Sequence, residues 1–395
     1  MKWEEQTVGP DVTISLIDDV DVVGHEWRLL EAEVRPSIFL SWLWIGTWLR
    51  TISCDAYLAK VMHQGQVVGL GILCPFRQVR HRVMPVRQFH LNGTGDPGED
   101  VITLEYNGLL CHAADARRLL GVVLDAAMTS RIPNSPFCAV DEIVLANINS
   151  RICEDLQAEG YLLHDYAIAP SFFVDLAALR EAKSSLLSAL SKNSRYQIRR
   201  SVRLYEESAP LIVERAATRG QAFEFLAELR SLHQATWEGR GHEGAFAHSF
   251  FETFHSRMIS AGVESGHIDL VKVAVGDQVI GYLYNFIYGK IVYYYTSGFA
   301  YTSDHKYKPG LVCHFKCVEY YQERGLDVYD FMAGASQYKS SLGQPGPVLW
   351  SVAVQRQQFK LRLEAKLRRQ KNKWKLRLED LRQRMLGRFD RSSKD

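Results

Sequence analysis

Residues 58–69 read LAKVMHQGQVVG and residues 270–281 read LVKVAVGDQVIG, and the two segments share Leu, Lys, Val, Gln, Val and Gly at matching places. Each is an apolar run, a two-residue turn (Gln64-Gly65, Gly276-Asp277) and a second apolar run ending at a glycine. That is the pattern of a β-hairpin. Each copy follows helical segments and leads into more strands and then a helix, so one fold is expected twice in the chain. Two like domains side by side enclose a cleft, and ligands favour such clefts. At 395 residues the chain is long enough for two cores.

Composition is that of a globular protein, 47% apolar and 23% charged. The most apolar stretch, Ile38 to Trp48, is shorter than the roughly 20 residues of a transmembrane helix and carries polar positions. The N-terminus MKWEEQTVGPDV lacks a signal-peptide core. The seven cysteines are odd in number and scattered, which points to a reduced, cytoplasmic protein. Cys313 and Cys317 lie four apart beside His314, but no second ligand pair follows. They read as small core residues, and no metal is expected. The net charge of +2 hides an asymmetry: from Arg356 onward there are 15 Lys/Arg against 5 Asp/Glu.

Periodicity divides the chain into helices and strands of an α/β protein. The first domain, within 1–175, reads strand Thr13–Ile17, helices Val20–Val34 and Ser41–Ile52, and strands Ala56–His63, Gln66–Phe76, Val83–Leu91 and Ile102–Leu110. Helix Ala114–Thr129, strand Glu142–Ala146, helix Ser150–Glu159 and strand Tyr161–Phe173 follow. Residues 176–209 form a basic helical connector. The second domain, 210–356, reads strand, helices Gln221–Trp237 and Phe246–Ala261, the second hairpin, strand Ile291–Ser297, helix Leu311–Arg324, and strands Val328–Phe331 and Val348–Gln355. Residues 357–395 read as a basic amphipathic helix, with apolar positions at 359, 363, 367, 374, 378, 381, 385 and 389.

Several segments carry chemistry. The strand ending in Thr296-Ser297-Gly298 leads through His305, Lys306 and Lys308 to Pro309-Gly310. Proline at a helix start, free amides beyond it and two lysines suit a phosphate or pyrophosphate. Asp330-Phe331-Met332-Ala333-Gly334 is a strand end and glycine turn, followed by Tyr338-Lys339. Tyr338 could protonate a leaving thiolate and Lys339 could hold an anion. Arg195, Arg199 and Arg203 recur at four-residue intervals and share one helix face, which could meet phosphates, lipid headgroups or RNA. In HLNGTGD a strand bearing His90 and Asn92 runs into a glycine-rich turn. In ITLEYNGLL, Glu105 sits among apolar residues beside Tyr106 and Asn107. A buried acid has a raised pKa and could deprotonate an amine; His90 and His305 are competing bases. The P-loop, G-x-S-x-G and H-E-x-x-H are all absent from the sequence, which argues against P-loop NTP, serine-hydrolase and zinc-protease chemistry.

With SKNSRYQIRRSVR, YYYTSGFAYTSDHKYKPG and DFMAGASQYKSSLG in view, the chain resembles the GNAT acyltransferase superfamily. It looks closest to the double-domain branch that includes FemAB-like and CelD-like proteins. The resemblance spans roughly residues 40–355. It implies two tandem GNAT-like domains, with mixed, largely antiparallel sheets flanked by helices. In such folds a splayed strand pair grips the pantetheine arm of acyl-CoA and the next helix start binds pyrophosphate. Here that implies cofactor contacts at Ser297, Lys306, Lys308 and Gly310. The loop from Ser297 to Gly310, where simple GNAT enzymes would carry R/Q-x-x-G-x-G/A, lacks that pattern. FemAB relatives use aminoacyl-tRNA instead, and the Arg195–Arg203 row would suit RNA. HLNGTGDPGEDVITLEYNGLL is also similar to GNAT-like bacterial ceramide synthases, which N-acylate a sphingoid base.

The resulting expectation is N-acyl transfer from acyl-CoA to a primary amine, possibly a lipid amine. Glu105 or His305 would act as base and Tyr338 as acid. His90, Asn92, Tyr106, Asn107, Arg195, Arg199, Asp330 and Lys339 would contact substrate. The tail helix would reach the inner membrane face, its Lys/Arg toward anionic lipid. The alternatives are aminoacyl transfer from tRNA to an envelope precursor, and a non-catalytic accessory role in envelope polysaccharide export.

Overall fold

The computed structural model describes residues 9–370, apart from 130, 138, 240, 242 and 369. The N-terminal half runs β1 (Asp11–Leu16), α1 (Val20–Val34), α2 (Trp42–Leu49), β2 (Tyr57–His63), β3 (Gln66–Arg80), β4 (Met84–Leu91), β5 (Leu110–Cys111), α3 (Ala116–Thr129), β6 (Glu142–Asn149), α4 (Ser150–Ala158) and β7 (Leu162–Asp175). Helices α5 (Leu176–Glu181), α6 (Leu186–Ala189) and α7 (Lys192–Glu206) connect the halves. The C-terminal half runs β8 (Leu211–Arg215), α8 (Arg219–Glu238), α9 (Ser249–Gly262), β9 (Ile268–Val275), β10 (Gln278–Tyr288), β11 (Ile291–Phe299), α10 (Pro309–Glu323), β12 (Val328–Ala333), α11 (Gln337–Leu342) and β13 (Gln344–Gln355).

The repeated hairpins are β2–β3 and β9–β10, and they match beyond their sequence. In the first, Val61 faces Gly69 while Met62 faces Val67, leaving Val68 as an extra residue. In the second, Val273 faces Gly281 while Ala274 faces Val279, leaving Ile280 extra. The same bulge therefore stands at the same place in both copies. Such bulges re-aim a strand and are built into a fold.

The halves share one mixed sheet in the order β1-β2-β3-β4-β6-β13-β7-β12-β11-β10-β9-β8. The last strand of each half crosses over: β13 pairs with β6, and β7 pairs with β12. Three apolar cores line the sheet. One, around Trp27, Phe39, Trp44, Phe254 and Phe286, joins α1 and α2 to α9 across both halves. The others lie under α3 and α4, and under α7 and α10.

Each half also contains one short parallel pairing. Strand β4 meets β6 over Gln88–His90, and β11 meets β12 over Ile291–Tyr293. Beyond those three pairs the strands part. In the N-terminal half the gap is bridged by the chain itself, where Asn107 pairs with Ile148. In the C-terminal half it widens into a cavity.

Four sequence expectations need correction. Residues 102–110 are not a strand: a single 3-10 turn at Asp100–Ile102 precedes an irregular segment, and only Leu110–Cys111 joins the sheet. Strand β3 continues past Phe76 to Arg80, turning at His81 and Arg82, both with positive φ. The short helix α11 was not expected. The tail packs back onto the domain over 359–368, but through Leu361 and Glu364; the predicted stripe Phe359, Leu363 and Leu367 faces outward. Its members from 374 onward lie outside the described residues. Among the described residues no helix is long and apolar enough to cross a membrane.

Candidate active site at the seam between the halves

Segment 103–109 passes from the N-terminal half onto the end of β12. Two asparagines hold its irregular backbone. The Asn92 Oδ1 accepts from the Ile72 N–H, and its Nδ2 donates to Asn107 Oδ1 and to the Gly108 carbonyl. The Asn107 Nδ2 donates to the Leu91 carbonyl. These side chains replace the ladder bonds a strand would make. Both asparagines are therefore engaged inside the fold, and neither lines the cavity described below, where substrate contacts were expected.

The segment delivers Glu105 and Tyr106. The Ala333 N–H donates to Glu105 Oε2 at 2.7 Å. The Tyr106 hydroxyl donates to Asp330 Oδ2 at 2.7 Å, and the Met332 N–H donates to Asp330 Oδ1 at 2.7 Å. Met332 is buried with φ 62, an uncommon conformation for a non-glycine residue. Strain of this kind persists where the surroundings over-determine it, often at functional sites. From α11, Lys339 Nζ donates to the Ala333 carbonyl.

Burial dominates the electrostatics here. Glu105 is 6% exposed, and burial pushes its carboxyl up to about 7 against the pull of the Ala333 N–H and Lys339. Burial raises Asp330 to about 6, opposed by its bonds from Tyr106 and Met332 and by Lys339. Burial lowers Lys339, and the two carboxyls pull it back. Two carboxyls poised near neutrality beside an ammonium group form an arrangement suited to proton transfer.

Next to this cluster, where β11 and β12 part, lies a cavity of about 750 Å³. Its walls are the end of β11 (Tyr294 to Ser297, Phe299), α8 (His233, Thr236, Trp237), the start of α10 (Lys308 to Leu311) and α11 (Tyr338, Lys339). Pro309 stands at the helix start and Lys308 precedes it with no side-chain cap, so the amides beyond are open to an anion. Ser297, Lys308, Gly310, Tyr338, Lys339 and His305 of the sequence reading thus converge.

The remaining candidates separate from it. Lys306 does not line the cavity; its carbonyl accepts from Ser201 of α7 and its N–H donates to Asp304. His305 is exposed at the mouth, whereas Glu105 is interior, so the two proposed bases occupy different environments. His90 contacts Gln88, and burial lowers it to about 4. Arg195 is half-buried and Arg199 exposed on α7, outside the cavity. Tyr338 stacks on His314, ring centroids 5.2 Å apart, and burial raises its hydroxyl so that it stays protonated. His314 contacts the Tyr329 hydroxyl at 3.0 Å, while Cys313 and Cys317 are fully buried in the core. Among the described residues no three His, Cys, Asp or Glu side chains converge as a metal site. Sequence reasoning missed His233 and Tyr294; nothing near either residue marks a site.

The comparisons with known proteins fit this geometry. Residues 192–340 match the family described as "Acetyltransferase (GNAT) domain". No curated protein matches the chain in sequence. Among solved structures it is similar to FemX, at 14% identity and a TM-score of 0.56, covering 86% of this chain and 97% of that one. It is also similar to a conserved protein of unknown function from Bacteroides thetaiotaomicron, at 12% identity and a TM-score of 0.51, covering 87% and 100%. The chain therefore has a tandem GNAT-like fold, within which residues 192–340 match the acetyltransferase-domain model.

Proposed function

We propose that the protein transfers an acyl group from acyl-CoA to a primary amine, with Glu105 as general base. The observation that carries this reading is Glu105 itself: a buried carboxyl, raised to about 7, whose neighbour Lys339 lines the cavity that suits a donor. An amine attacks a thioester only when neutral, and a carboxylate of that basicity accepts its proton near pH 7. The carrier arm would lie along the parted end of β11, its diphosphate on the amides beyond Pro309, beside Lys308. Tyr338, held protonated, would supply the proton to the departing thiolate. Asp330, through Tyr106, would hold the segment bearing Glu105.

The acceptor in this reading is a lipid amine such as a sphingoid base, brought by contact of the tail helix with the inner membrane face. Its outward Phe359, Leu363 and Leu367 alternate with Lys360, Arg362 and Lys366, the composition of an interfacial helix.

A second reading, aminoacyl transfer from tRNA, is favoured by one observation. Helix α7 carries exposed Arg199 and Arg203 and is bonded through Ser201 to the loop at the cavity mouth. That places cations beside the site where an RNA donor would enter. Thermal-shift titration separates the two. Stabilisation by long-chain acyl-CoA and not by tRNA supports the first. Salt-sensitive tRNA binding that is lost in Arg199→Ala overturns it in favour of the second. Stabilisation by neither favours a non-catalytic role.

A further inference from the structure

A second cavity, of about 510 Å³, adjoins the first at α11. The first takes Tyr338 and Lys339 of that helix, the second takes Ser340, Ser341 and Leu342, and Gln337 lines both. Gln337 is exposed, so the two mouths meet at a side chain on the surface. Ala178, Ala189 and Ser340 also line the second cavity and are exposed, which leaves it open to a ligand.

The two cavities differ in chemistry. The first carries Lys308, Lys339 and His305. The floor of the second is Val174, Leu179, Leu186, Leu190 and Leu342, all buried. Among the described residues no cation lines it. Its one carboxylate, Asp175, accepts the Ala178 N–H at the start of α5. Its serine hydroxyls are engaged within the fold: Ser340 donates to the Gln337 carbonyl, Ser341 to the Tyr338 carbonyl, and Ser191 to Ser194 Oγ. Such a wall offers little to a phosphate or a carboxylate. It offers carbon surface, which suits a hydrocarbon leaving water.

We propose that the second cavity receives the hydrocarbon chain of a long-chain acyl donor, which rounds the start of α11 at Gln337. This rests on the reading that the first cavity receives acyl-CoA. With the thioester beside Tyr338, the acyl chain begins at α11. An α-helix is about 10 Å across with its side chains. A short acyl group therefore ends before the second cavity, and only a longer one gains from it. The pair of cavities thus selects donors by chain length.

The test is titration calorimetry of the full chain with acetyl-, butyryl-, octanoyl- and dodecanoyl-coenzyme A, beside thermal unfolding. Affinity is expected to stay level from acetyl to butyryl. It should rise at least tenfold by dodecanoyl, since each methylene buried contributes up to about fourfold. Ala178→Trp fills the second cavity, and Gln337→Trp closes the passage to it. In each folded variant, affinity for dodecanoyl-coenzyme A is expected to fall at least tenfold, to that for butyryl-coenzyme A. Level affinity along the wild-type series overturns the chain site and leaves the acyl-CoA reading standing. So does a rise with length that persists in either folded variant, because the chain then lies elsewhere. If the wild type binds none of the four, the acyl-CoA reading and the chain site fall together.

Discussion

The carboxylate of Glu105 accepts the backbone N–H of Ala333 at 2.7 Å, joining residues 228 positions apart in the chain. The bond links the segment that closes the N-terminal gap to the end of β12, where the C-terminal gap opens. Each half thus supplies what the other lacks. The C-terminal half keeps the space between its parted strands, and the N-terminal half fills its own and sends the leftover acid across. The candidate site is thus built from both halves.

The first prediction concerns rate. A base must be ionised, and Glu105 sits at about 7. The kcat/KM for the amine is expected to climb through that pH and to be lost below it, on an acid limb well above that of an ordinary carboxylate. Glu105→Gln is expected to reduce kcat by about 10²- to 10⁴-fold and to flatten the acid limb. A pH–rate profile of the two proteins checks this. An unchanged limb in the variant would assign the base elsewhere, with Asp330 the next group to examine.

The second prediction uses the same residue and the opposite property. The folded state raises the Glu105 pKa from 4.5 to about 7. Its contribution to stability is full below the unfolded pKa and is lost as pH rises from there through 7, because the buried carboxyl must then ionise. Glutamine keeps the acceptor for Ala333 and never ionises. Above pH 8, Glu105→Gln is expected to be more stable than wild type by up to about 2–3 kcal/mol, and at pH 4 the difference should vanish. Urea unfolding at both pH values measures it. A purely structural acid would show the reverse, with the variant weaker throughout.

Much of the architecture was legible because hairpins, helix periods and helix starts are local signals. Val20–Val34 and the turn at Gly276-Asp277 stand where the sequence put them. Glu105 was legible as an acid among apolar residues, but not its setting. The alternation Ile-Thr-Leu-Glu-Tyr imitates a strand, and only the side chains of Asn92 and Asn107 show why the backbone does without a ladder. Helix α11 is one and a half turns long, too short for a periodic stripe. The crossing of β13 to β6 is a pairing between distant segments and has no local signature. His233 is fixed at the cavity wall by a carbonyl 64 residues away.

The third prediction tests the wall between α8 and β11. A Cβ on Gly298 would lie 2.4 Å from the Leu229 carbonyl oxygen, a backbone atom that cannot swing aside. Gly298→Ala is expected to lift α8, cost about 1–3 kcal/mol and weaken donor binding, since α8 forms one wall of the cavity. Gly220, in the first turn of the same helix, has only the Thr218 hydroxyl near it, at 3.9 Å. Gly220→Ala is expected to hold or raise stability by up to about 1 kcal/mol with donor affinity unchanged. Melting curves with and without desulfo-coenzyme A compare the two. Equal behaviour would mean that the close approach of α8 to the strand does not shape the cavity.

The tail helix separates attachment from display. Leu361 is fully buried, and Glu364 lies against Arg80 at 3.2 Å and His81 at 3.1 Å. Lys360 reaches Asp141 at 2.8 Å. These contacts face the domain, while Phe359 is 82% exposed and Leu367 57% exposed. The groups that hold the helix and the groups it presents are therefore different residues, and can be changed independently. Phe359→Asp with Leu367→Asp is expected to leave the melting temperature unchanged. It should cut co-sedimentation with phosphatidylglycerol vesicles at least tenfold, because each apolar side chain withheld from a membrane forfeits about 1.5–3 kcal/mol. Leu361→Asp should instead release the helix, seen as faster proteolysis after residue 356. Arg80→Ala would strand the buried Glu142 and Glu364 carboxylates and should destabilise the domain by about 3–5 kcal/mol. Vesicle binding unchanged in the double aspartate variant would show that the outward stripe meets something other than lipid.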